Sequence, residues 1–310
     1  MKRVQVVAAT LVSAVALVSC STPTDAPQGD QAKSGAANIE QVDTFTQVKP
    51  SPEVEALLPA GVKSSKKITI VLSAGAPPTS FIAPDGKTSM GLNADIGRAL
   101  ARTMGVEPTL VSIPLDGIIP GLQSKKYDMA LASMSPSPER LQVLDMVAFT
   151  KGGSAIAVPK GNPKKLSSKA LCGLQVGVAV GSFQATTRLP KLSEETCTSS
   201  GKPGIKAVEL PDQSQVLLAL SSGRVAAVMA DGPVLGYAQK TQDTKFELLR
   251  DESSLTSTGG MAVVKGSELT PALVKAMEVL HGLPEYQKIY DKWGMAGYVL
   301  PAGELGQLKG

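Results

Sequence analysis

Two stretches of the chain repeat one structural pattern with different residues. GIIPGLQSKKYDMALASM begins at Gly117, and QVLLALSSGRVAAVMADG begins at Gln215. In each, apolar residues at helical spacing lead into a short polar turn and then a β-type run that stops at a polar residue, Ser133 or Asp231. Open parallel sheets bind ligands at the carboxyl ends of their strands, because side chains and helix N-termini converge there. The pattern therefore predicts two lobes with a binding cleft between them.

The repeat extends over a strand-helix-strand-helix-strand series in each half of the chain. In the first half the predicted elements are strand 68–72, helix 93–104, strand 109–113, helix 117–124 and strand 129–133. In the second half they are strand 174–180, helix 184–189, strand 205–210, helix 214–221 and strand 226–230. This order predicts right-handed crossovers and an α/β fold in which each lobe is a mainly parallel sheet flanked by helices. A single larger doubly wound domain is the alternative, since a chain of 310 residues can form either.

The N-terminus has the pattern of an export signal. Lys2 and Arg3 precede an uncharged run over 4–18, which is long enough for the apolar region of a signal peptide and short for a membrane span. The run ends in LVSC at Cys20, which resembles a bacterial lipobox; an ordinary signal peptide with an incidental cysteine is the alternative. We expect residues 1–19 to be removed and a multiply acylated Cys20 to hold the protein on the extracytoplasmic face of the cell membrane.

The composition after Cys20 predicts a flexible tether. From Ser21 to about Lys67 the chain is rich in Ser, Thr, Pro, Gly, Gln and charge, with few large apolar residues, so it cannot bury enough surface to offset its chain entropy. A short helix over 52–58 is expected to dock on the first lobe, and the folded protein is expected to begin near Ile68. Loss of the signal lowers the formal net charge from +4 to +2, and aromatics are 4% of the chain. Both values argue against a nucleic-acid partner.

Two cysteines remain once Cys20 is assigned to lipid. Cys172 and Cys197 both fall in the second lobe. In an oxidising compartment outside the cytoplasm they are expected to form a disulfide, with two buried free thiols as the alternative.

The segment MSPSPER, from Met134 to Arg140, carries the first candidate binding group. Ser137 is a good N-cap and Pro138 suits the first helical position, so Arg140 lies in the first turn of a helix that follows the strand ending at Ser133. That position directs a guanidinium to the mouth of the cleft. An arginine considered in isolation is more often part of a surface ion pair.

Seven segments in order resemble the family 3 extracellular solute-binding proteins, the polar-amino-acid receptors of ABC importers, over about residues 68–297. The segments are PPTSF from Pro77, GLNADIGRALARTMG from Gly91, LDGIIPGLQSKKYDM from Leu115, MSPSPER from Met134, GVAVGS from Gly177, VAAVMADGP from Val225 and EYQKIYDKWG from Glu285. Together they are specific for the family and not for one ligand. The resemblance implies a periplasmic-binding-protein-like fold that captures a small zwitterion, an amino acid or a derivative, and delivers it to an ABC transporter permease.

The resemblance also implies a set of ligand-binding residues. Arg140 matches the arginine that takes the ligand carboxylate, and a planar two-pronged donor suits that group. Asp231 matches the residue that takes the ammonium from the opposite lobe, with capping of its own turn as the alternative. The other expected contacts are the Ser135 side chain, the Ser133 carbonyl, the N–H groups of Gly181 and Ser182, and Phe81 as an apolar wall.

The chain departs from the family pattern in the expected side-chain pocket. Ala74 stands where relatives that bind cationic side chains often have an acid, and Ala76 and Leu115 stand where aromatic residues are common. The resemblance therefore implies an intact clamp for a zwitterion and an altered pocket at Leu115. These differences argue against lysine, arginine or histidine as the ligand.

Chain order predicts the lobe boundaries. Lobe one is expected at 68–158 and 262–296, lobe two at 159–261, and a C-terminal tail at 297–310. Segments near 155–159 and 258–263 are the expected two-segment hinge, and the protein is expected to be a monomer. His281 is the only histidine, which argues against a histidine-based metal site or catalytic triad. No cofactor motif is found, and Tyr290 and Trp293 are predicted to be packing residues.

Two other functions compete with the importer receptor. A cyclohexadienyl-dehydratase-like enzyme would use the same scaffold, but it needs a positioned general acid, and Glu139 is the only nearby carboxylate besides Asp231. A sensory or cell-wall binding protein is the third possibility, since similar domains precede such modules. The expectation from the residues is a binding protein and not an enzyme.

Replacement of Cys20 separates the anchor from the binding domain. We expect Cys20→Ala to give a soluble protein that still binds its ligand, because the tether joins two independent parts. Fractionation of cells, with high-salt and carbonate washes, measures this. A variant that stays with the membrane after both washes would contradict the lipobox assignment.

Overall fold

The computed structural model describes residues 44–241, 245–249 and 255–309. The predicted signal peptide, Cys20 and the predicted tether as far as residue 43 lie outside these residues. No helix within the described residues is long and apolar enough to cross a membrane.

Helices and strands alternate along the described chain. The α-helices are α1 (Pro52–Ala56), α2 (Ala60–Ser65), α3 (Leu92–Met104), α4 (Ile118–Gln123), α5 (Pro138–Val143), α6 (Leu189–Thr196), α7 (Gln213–Ser221), α8 (Gly232–Thr241), α9 (Thr270–His281) and α10 (Pro284–Lys292). The strands are β1 (Lys67–Ser73), β2 (Phe81–Ile82), β3 (Ser89–Met90), β4 (Glu107–Ile113), β5 (Met129–Met134), β6 (Leu144–Pro159), β7 (Gln175–Ala179), β8 (Lys206–Leu210), β9 (Ala227–Asp231), β10 (Phe246–Leu248), β11 (Leu255–Val264) and β12 (Gly306–Leu308). Both predicted series are present, and the helix expected over 184–189 is a π-type turn, Gln184–Arg188, that continues into α6.

The strands form two lobes that share one continuous sheet. In the first lobe β4, β1 and β5 are parallel, β11 pairs antiparallel with β5, and β6 pairs antiparallel with β11. In the second lobe β8, β7 and β9 are parallel, and β6 and β10 complete the sheet antiparallel. The parallel part of each lobe comes from the predicted strand-helix-strand series, which confirms the two-lobed α/β fold over the single larger domain.

The strands β6 and β11 connect the lobes. Residues 144–148 of β6 pair with β11 in the first lobe, and 154–157 pair with β9 in the second. Between them, residues 150–154 pair with 255–259, so the crossing lies at these two segments. The crossing lies before the expected hinge segment 155–159, because the residues of that segment already pair with strands of the second lobe. The first part of lobe one therefore ends near residue 150 and not at 158.

A glycine permits the close approach of the two crossing strands. A Cβ at Gly259 would lie 2.6 Å from Cγ2 of Thr150, which is closer than carbon atoms pack. The neighbouring register shift between Gly259 and Gly260 marks the point where β11 enters the first lobe.

The folded domain begins well before the predicted residue 68. Phe45, Val48, Val54 and Leu58 are buried in the core of the first lobe. The guanidinium of Arg102, on α3, lies 4.9 Å from the centre of the Phe45 ring and donates to the Phe45 carbonyl at 3.1 Å. The expected tether boundary at residue 67 is thus wrong, because a few well-spaced apolar residues in a polar segment suffice to dock it.

The predicted C-terminal tail is also part of the first lobe. Strand β12 pairs antiparallel with β6, with Gly306 opposite Ala148, and Val299 forms a bridge to Thr150. Leu300 is buried. The expected boundary at 296/297 therefore does not separate a tail from the first lobe. Residues beyond it belong to that lobe, and β12 adds a strand to the sheet near the crossing.

The two predicted packing residues lie in the first-lobe core, and His281 lies near them. Trp293 and Tyr290 are buried in the core, and the Trp293 Nε1–H donates to Oδ2 of Asp95 at 2.9 Å. His281 ends α9, with its Nε2 atom 2.8 Å from the Leu300 carbonyl oxygen. In the second lobe Cys172 and Cys197 are bonded, as the sequence predicted.

The docked N-terminal segment should contribute to stability. Val54 is fully buried and Leu57, on the next helical turn, is 44% exposed. We expect Val54→Ala to lower the free energy of unfolding by about 2 kcal/mol, since it removes buried methyl groups and leaves a cavity. The matched Leu57→Ala variant should change it by less than about 0.5 kcal/mol. Guanidinium unfolding measures both; equal effects would show that the segment is not docked in solution.

Candidate functional site

Arg140 and Gly181, two of the residues predicted to bind the ligand, meet between the lobes. The Arg140 side chain, from the first lobe, donates from Nη1 to the Ser135 carbonyl at 2.8 Å. Its Nη2 donates to the Gly181 carbonyl, in the second lobe, at 2.9 Å. One guanidinium thus joins both lobes at the carboxyl ends of β5 and β7. The sequence predicted a position for Arg140 at the mouth of the cleft, and the side chain lies between the two lobes.

Local sequence explains the position of Arg140. Ser137 is the N-cap of α5, and its Oγ accepts the Arg140 backbone N–H at 3.3 Å, which fixes the first turn of the helix. The whole residue is only 7% exposed. Burial lowers the pKa of Arg140, while the negative charges of Asp231 and Glu139 act in the opposite direction. The alternative of a surface ion pair does not describe this side chain.

Asp231 is held by a residue that the sequence analysis did not identify. Gln184 Nε2 donates to Oδ1 of Asp231 at 2.8 Å and to Oγ of Ser154 at 3.0 Å. Ser154 lies on β6 directly opposite Asp231 in the sheet, and Gln184 is 2% exposed. The amide therefore connects the carboxylate to the strand that crosses between the lobes.

Burial is the main influence on the charge state of Asp231. Desolvation raises the pKa of this carboxyl group above its ordinary value. The hydrogen bond from Gln184 and the positive charge of Arg140 both lower the pKa, and their combined effect is smaller. A cationic group that approached Asp231 would lower the pKa of its carboxyl group and so favour the ionised form. The ionised carboxylate would in turn attract that cation.

The chain pattern places Gln184 near the cleft but does not show its partners. It follows the Gly181-Ser182 turn by two residues, on the first turn of the helix whose start faces the cleft. Sequence reasoning stopped at Ser182, because a glutamine in a helix is most often solvated. The π-type turn that begins at Gln184 carries no sequence signal of its own.

The two predicted serines on the first lobe have different partners. Ser133 has φ +48° and its Oγ donates to Oδ1 of Asn93 at 2.8 Å. Its strand β5 bulges here, since Leu131 pairs with Met261 and Met134 pairs with Gly260. Ser135 Oγ lies 3.0 Å from Ser257 Oγ on β11, and its carbonyl accepts from Arg140.

The turn after β7 makes direct contact with the first lobe. Gly181 has φ +70°, and a Cβ there would lie 3.1 Å from Cα of Asp116. A left-handed residue packed against backbone requires glycine. The Ser182 N–H, expected to be free for the ligand, donates to the Ala179 carbonyl at 3.1 Å, and Ser182 Oγ accepts from the Ala185 N–H at 3.1 Å. Ser182 therefore stabilises its own turn, and that expectation needs correction.

The two expected apolar contacts lie on the first lobe. The Phe81 ring packs edge-on against Trp293, with ring centres 5.7 Å apart. Leu115 begins a short 3-10 helix, Leu115–Gly117, and packs partly against the apolar cluster around β5. It directly precedes Asp116, which touches Gly181, so Leu115 lies beside the point of contact between the lobes. Within the described residues no group of three or more His, Cys, Asp or Glu side chains could hold a metal ion.

Comparison with known proteins identifies the class to which this fold and site belong. Residues 68–296 match the bacterial extracellular solute-binding proteins of family 3. The match covers more than half of the chain, and the chain belongs to this family. It is a two-lobed solute-binding protein.

Individual relatives and structures agree with this assignment. The chain is 27% identical over 246 residues to the arginine-binding protein ArgT of Corynebacterium glutamicum, covering 79% of this chain and 80% of that protein. It is 30% identical over 238 residues to an L-arginine-binding protein of Pseudomonas aeruginosa, covering 74% and 88%. An ancestral arginine-binding protein bound to arginine superposes with a TM-score of 0.66 at 32% identity, covering 74% of this chain and 98% of that one.

Removal of the Gln184 donor should alter the titration of Asp231. We expect Gln184→Leu to raise the pKa of Asp231 further, because the hydrogen bond that favours the ionised carboxylate is lost while burial remains. Gln184→Glu keeps the shape and should act in the same direction. Carbon-13 NMR of the carboxyl groups against pH measures this, with Gln175→Leu at the far end of β7 as the control. An Asp231 pKa that is unchanged in both Gln184 variants would show that the hydrogen bond is absent in solution.

Proposed function

We propose that this protein captures a zwitterionic amino acid or a close derivative between its lobes and delivers it to an ABC importer. One observation carries the proposal: a buried guanidinium on the first lobe and a partly buried carboxyl group on the second face the same inter-lobe region. Each alters the pKa of the other, so the two charges are near neighbours. A molecule with one carboxylate and one ammonium group matches this arrangement.

The chemistry of each group supports its role. The Arg140 guanidinium is planar, and at present both of its terminal nitrogens donate to backbone carbonyls. A carboxylate is a stronger acceptor than a carbonyl and can take two parallel N–H groups, so it competes well for this donor. Asp231 accepts one hydrogen bond from Gln184 and, when ionised, has further lone pairs for an ammonium group.

The side-chain pocket supports a ligand without a long cationic side chain. The relatives named above bind arginine, which supports an amino acid as the ligand class. Ala74 and Ala76, after β1, bring no carboxylate to the first lobe where a cationic side chain would need one. Ala76 is buried, and together with Pro77 it lines a groove between α7 and α8 of the second lobe. We therefore favour a neutral side chain.

The architecture supports ligand-dependent closure. Arg140 and Asp231 belong to different lobes, and the lobes are joined by 150–154 and 255–259. A ligand held by both residues stabilises the closed state by its difference in affinity for the two states. Delivery to an importer follows from the family, and a lipid on Cys20 would keep a monomeric receptor beside its permease.

The dehydratase alternative has no suitable general acid besides Asp231, which the proposed clamp uses for the ligand ammonium group. One neighbouring structure is described as an ancestral amino-acid-binding protein that is a precursor of cyclohexadienyl dehydratase, with 25% identity and a TM-score of 0.63. Glu139 is exposed, and hydrogen bonds from its own N–H and from Ser137 lower its pKa, which favours the ionised form. A general acid near neutral pH needs a raised pKa. No observation favours the sensory or cell-wall alternative, so a binding protein without catalytic activity is our proposal.

The two clamp residues should each be needed for affinity. We expect Arg140→Ala and Asp231→Ala to weaken binding by about 2–5 kcal/mol, because each leaves one ligand charge without its partner in a closed cleft. Leu115→Ala should cost less and change which ligands bind. Calorimetric titration measures this with the amino acid that gives the largest thermal shift in a screen.

Conservative variants provide the control for the clamp. Arg140→Lys keeps the positive charge but loses the planar two-pronged donor. Its affinity should therefore lie between those of wild type and Arg140→Ala. Wild-type affinity in Arg140→Ala would contradict the carboxylate role and indicate a cation or neutral solute held by Asp231 and apolar walls.

A further inference from the structure

The second lobe has a cavity of about 480 Å³ at the edge of its sheet opposite the ligand cleft. Three of its lining residues mark that edge: Gln175 begins β7, Lys206 begins β8 and Ala226 directly precedes β9. These strands are parallel, so the cavity lies at their amino ends. Gly181 and Asp231 lie at their carboxyl ends. The cavity is therefore separate from the site described above.

Three cationic side chains line this cavity. They are Lys164, Lys206 and Arg224, and no Asp or Glu is found among the described lining residues. Within the described part of the chain, none of the three side chains has an ion pair or a hydrogen bond. Some other lysines are paired, as Lys275 is with Glu53 at 2.8 Å. Like charges that converge around a concavity repel one another, so an anion placed between them would relieve that repulsion.

The walls of the cavity are well defined. Asn162 Oδ1 accepts the Leu166 N–H at 2.8 Å, and Asn162 Nδ2 donates to the Leu166 carbonyl at 2.8 Å. This pair of bonds closes the loop that carries Lys164. On the opposite wall, Arg224 follows Gly223, which has φ +73°, and precedes the buried Val225. Two of the cations are thus attached to ordered turns and the third to a strand.

We propose that this cavity binds a phosphate ester, by charge-assisted hydrogen bonds from Lys164, Lys206 and Arg224. Phosphate presents acceptor oxygens in several directions, which suits two point-charge donors and one planar fork. The volume lies in the range of small-molecule sites and exceeds what a lone inorganic ion needs. Pro159, Leu174 and Val225 supply apolar lining for the organic part of the ligand.

Two sources can present this chemistry. A soluble phosphate ester would occupy the cavity as a free ligand. An anionic phospholipid headgroup would bring the amino edge of the second-lobe sheet to the membrane, with the ligand cleft at the opposite edge. Both use the same three cations, and the experiment distinguishes them.

The test compares two triple variants with the same loss of charge. The first is Lys164→Gln/Lys206→Gln/Arg224→Gln; the control is Lys125→Gln/Lys169→Gln/Lys240→Gln, at exposed positions outside the cavity lining. Binding of glycerol 3-phosphate is measured by calorimetry, with succinate as a non-phosphate dianion. Co-sedimentation is measured with phosphatidylcholine vesicles that contain or lack phosphatidylglycerol. All proteins carry the same N-terminus, so any contribution of an anchor is common to them.

The proposal predicts that the cavity variant loses affinity for the phosphate probe by roughly tenfold or more, since charged hydrogen bonds are removed. The control should stay within about twofold of wild type. Binding of glycerol 3-phosphate that is lost in the cavity variant identifies a soluble phosphate ester as the ligand. A difference between wild type and the cavity variant that is seen only in co-sedimentation with phosphatidylglycerol vesicles identifies a lipid headgroup.

Three results would overturn the proposal. The first is an equal loss of affinity for the phosphate probe in both triple variants. The second is equal affinity of the wild-type protein for succinate and glycerol 3-phosphate. The third is wild-type protein that binds neither glycerol 3-phosphate nor phosphatidylglycerol vesicles. Amino-acid binding should be unchanged in both triple variants, so the outcome does not depend on the proposed function of the cleft.

Discussion

The contact of the Arg140 guanidinium with both lobes is the interaction on which the rest of the account depends. A buried cation is costly unless charges and hydrogen bonds surround it. Here two carbonyls, one from each lobe, satisfy the terminal nitrogens, and Asp231 provides the nearest opposing charge from the second lobe. The N-cap at Ser137 and the glycine at 181 both serve to bring these groups together. A change in the relative position of the lobes therefore changes the solvation of a full positive charge.

The second lobe has two chemically different edges. At the carboxyl ends of β7 and β9 the polar groups are few, buried and bonded to one another, as Gln184 is to Asp231 and Ser154. At the amino ends the cations are exposed and lack partners in the described chain. Buried, satisfied groups suit selective capture of a small molecule, and exposed convergent charge suits recognition of an anion by electrostatics. The two edges are separate because β7, β8 and β9 are parallel. Their carboxyl ends therefore lie along one edge of the sheet and their amino ends along the other.

The sequence predicted the repeated elements within two residues, apart from the continuation into α6, because each combines clear periodicity with capping or turn residues. It also predicted the start of the helix that carries Arg140, since Ser137 is an N-cap and Pro138 suits the first helical position. It misplaced the crossing between lobes, because β6 is a long run of small and apolar residues whose composition does not show where its pairing partner changes. It predicted that a helix over 52–58 docks on the first lobe, as α1 does through Val54, but it missed the docking of Phe45, since docking depends on a receptive surface elsewhere in the chain. Gln184 was missed for the same reason: its role comes from Asp231 and Ser154, which are distant in sequence.

The central claim is that one ligand joins Arg140 and Asp231 across the lobes. A crystal structure of the protein with the small molecule that copurifies with it tests this most directly. The account predicts a ligand carboxylate within hydrogen-bond distance of the Arg140 terminal nitrogens and an ammonium group within the same distance of the Asp231 carboxylate. A bound molecule that lacks either group, or that leaves Arg140 bonded to the Ser135 and Gly181 carbonyls as here, would contradict it.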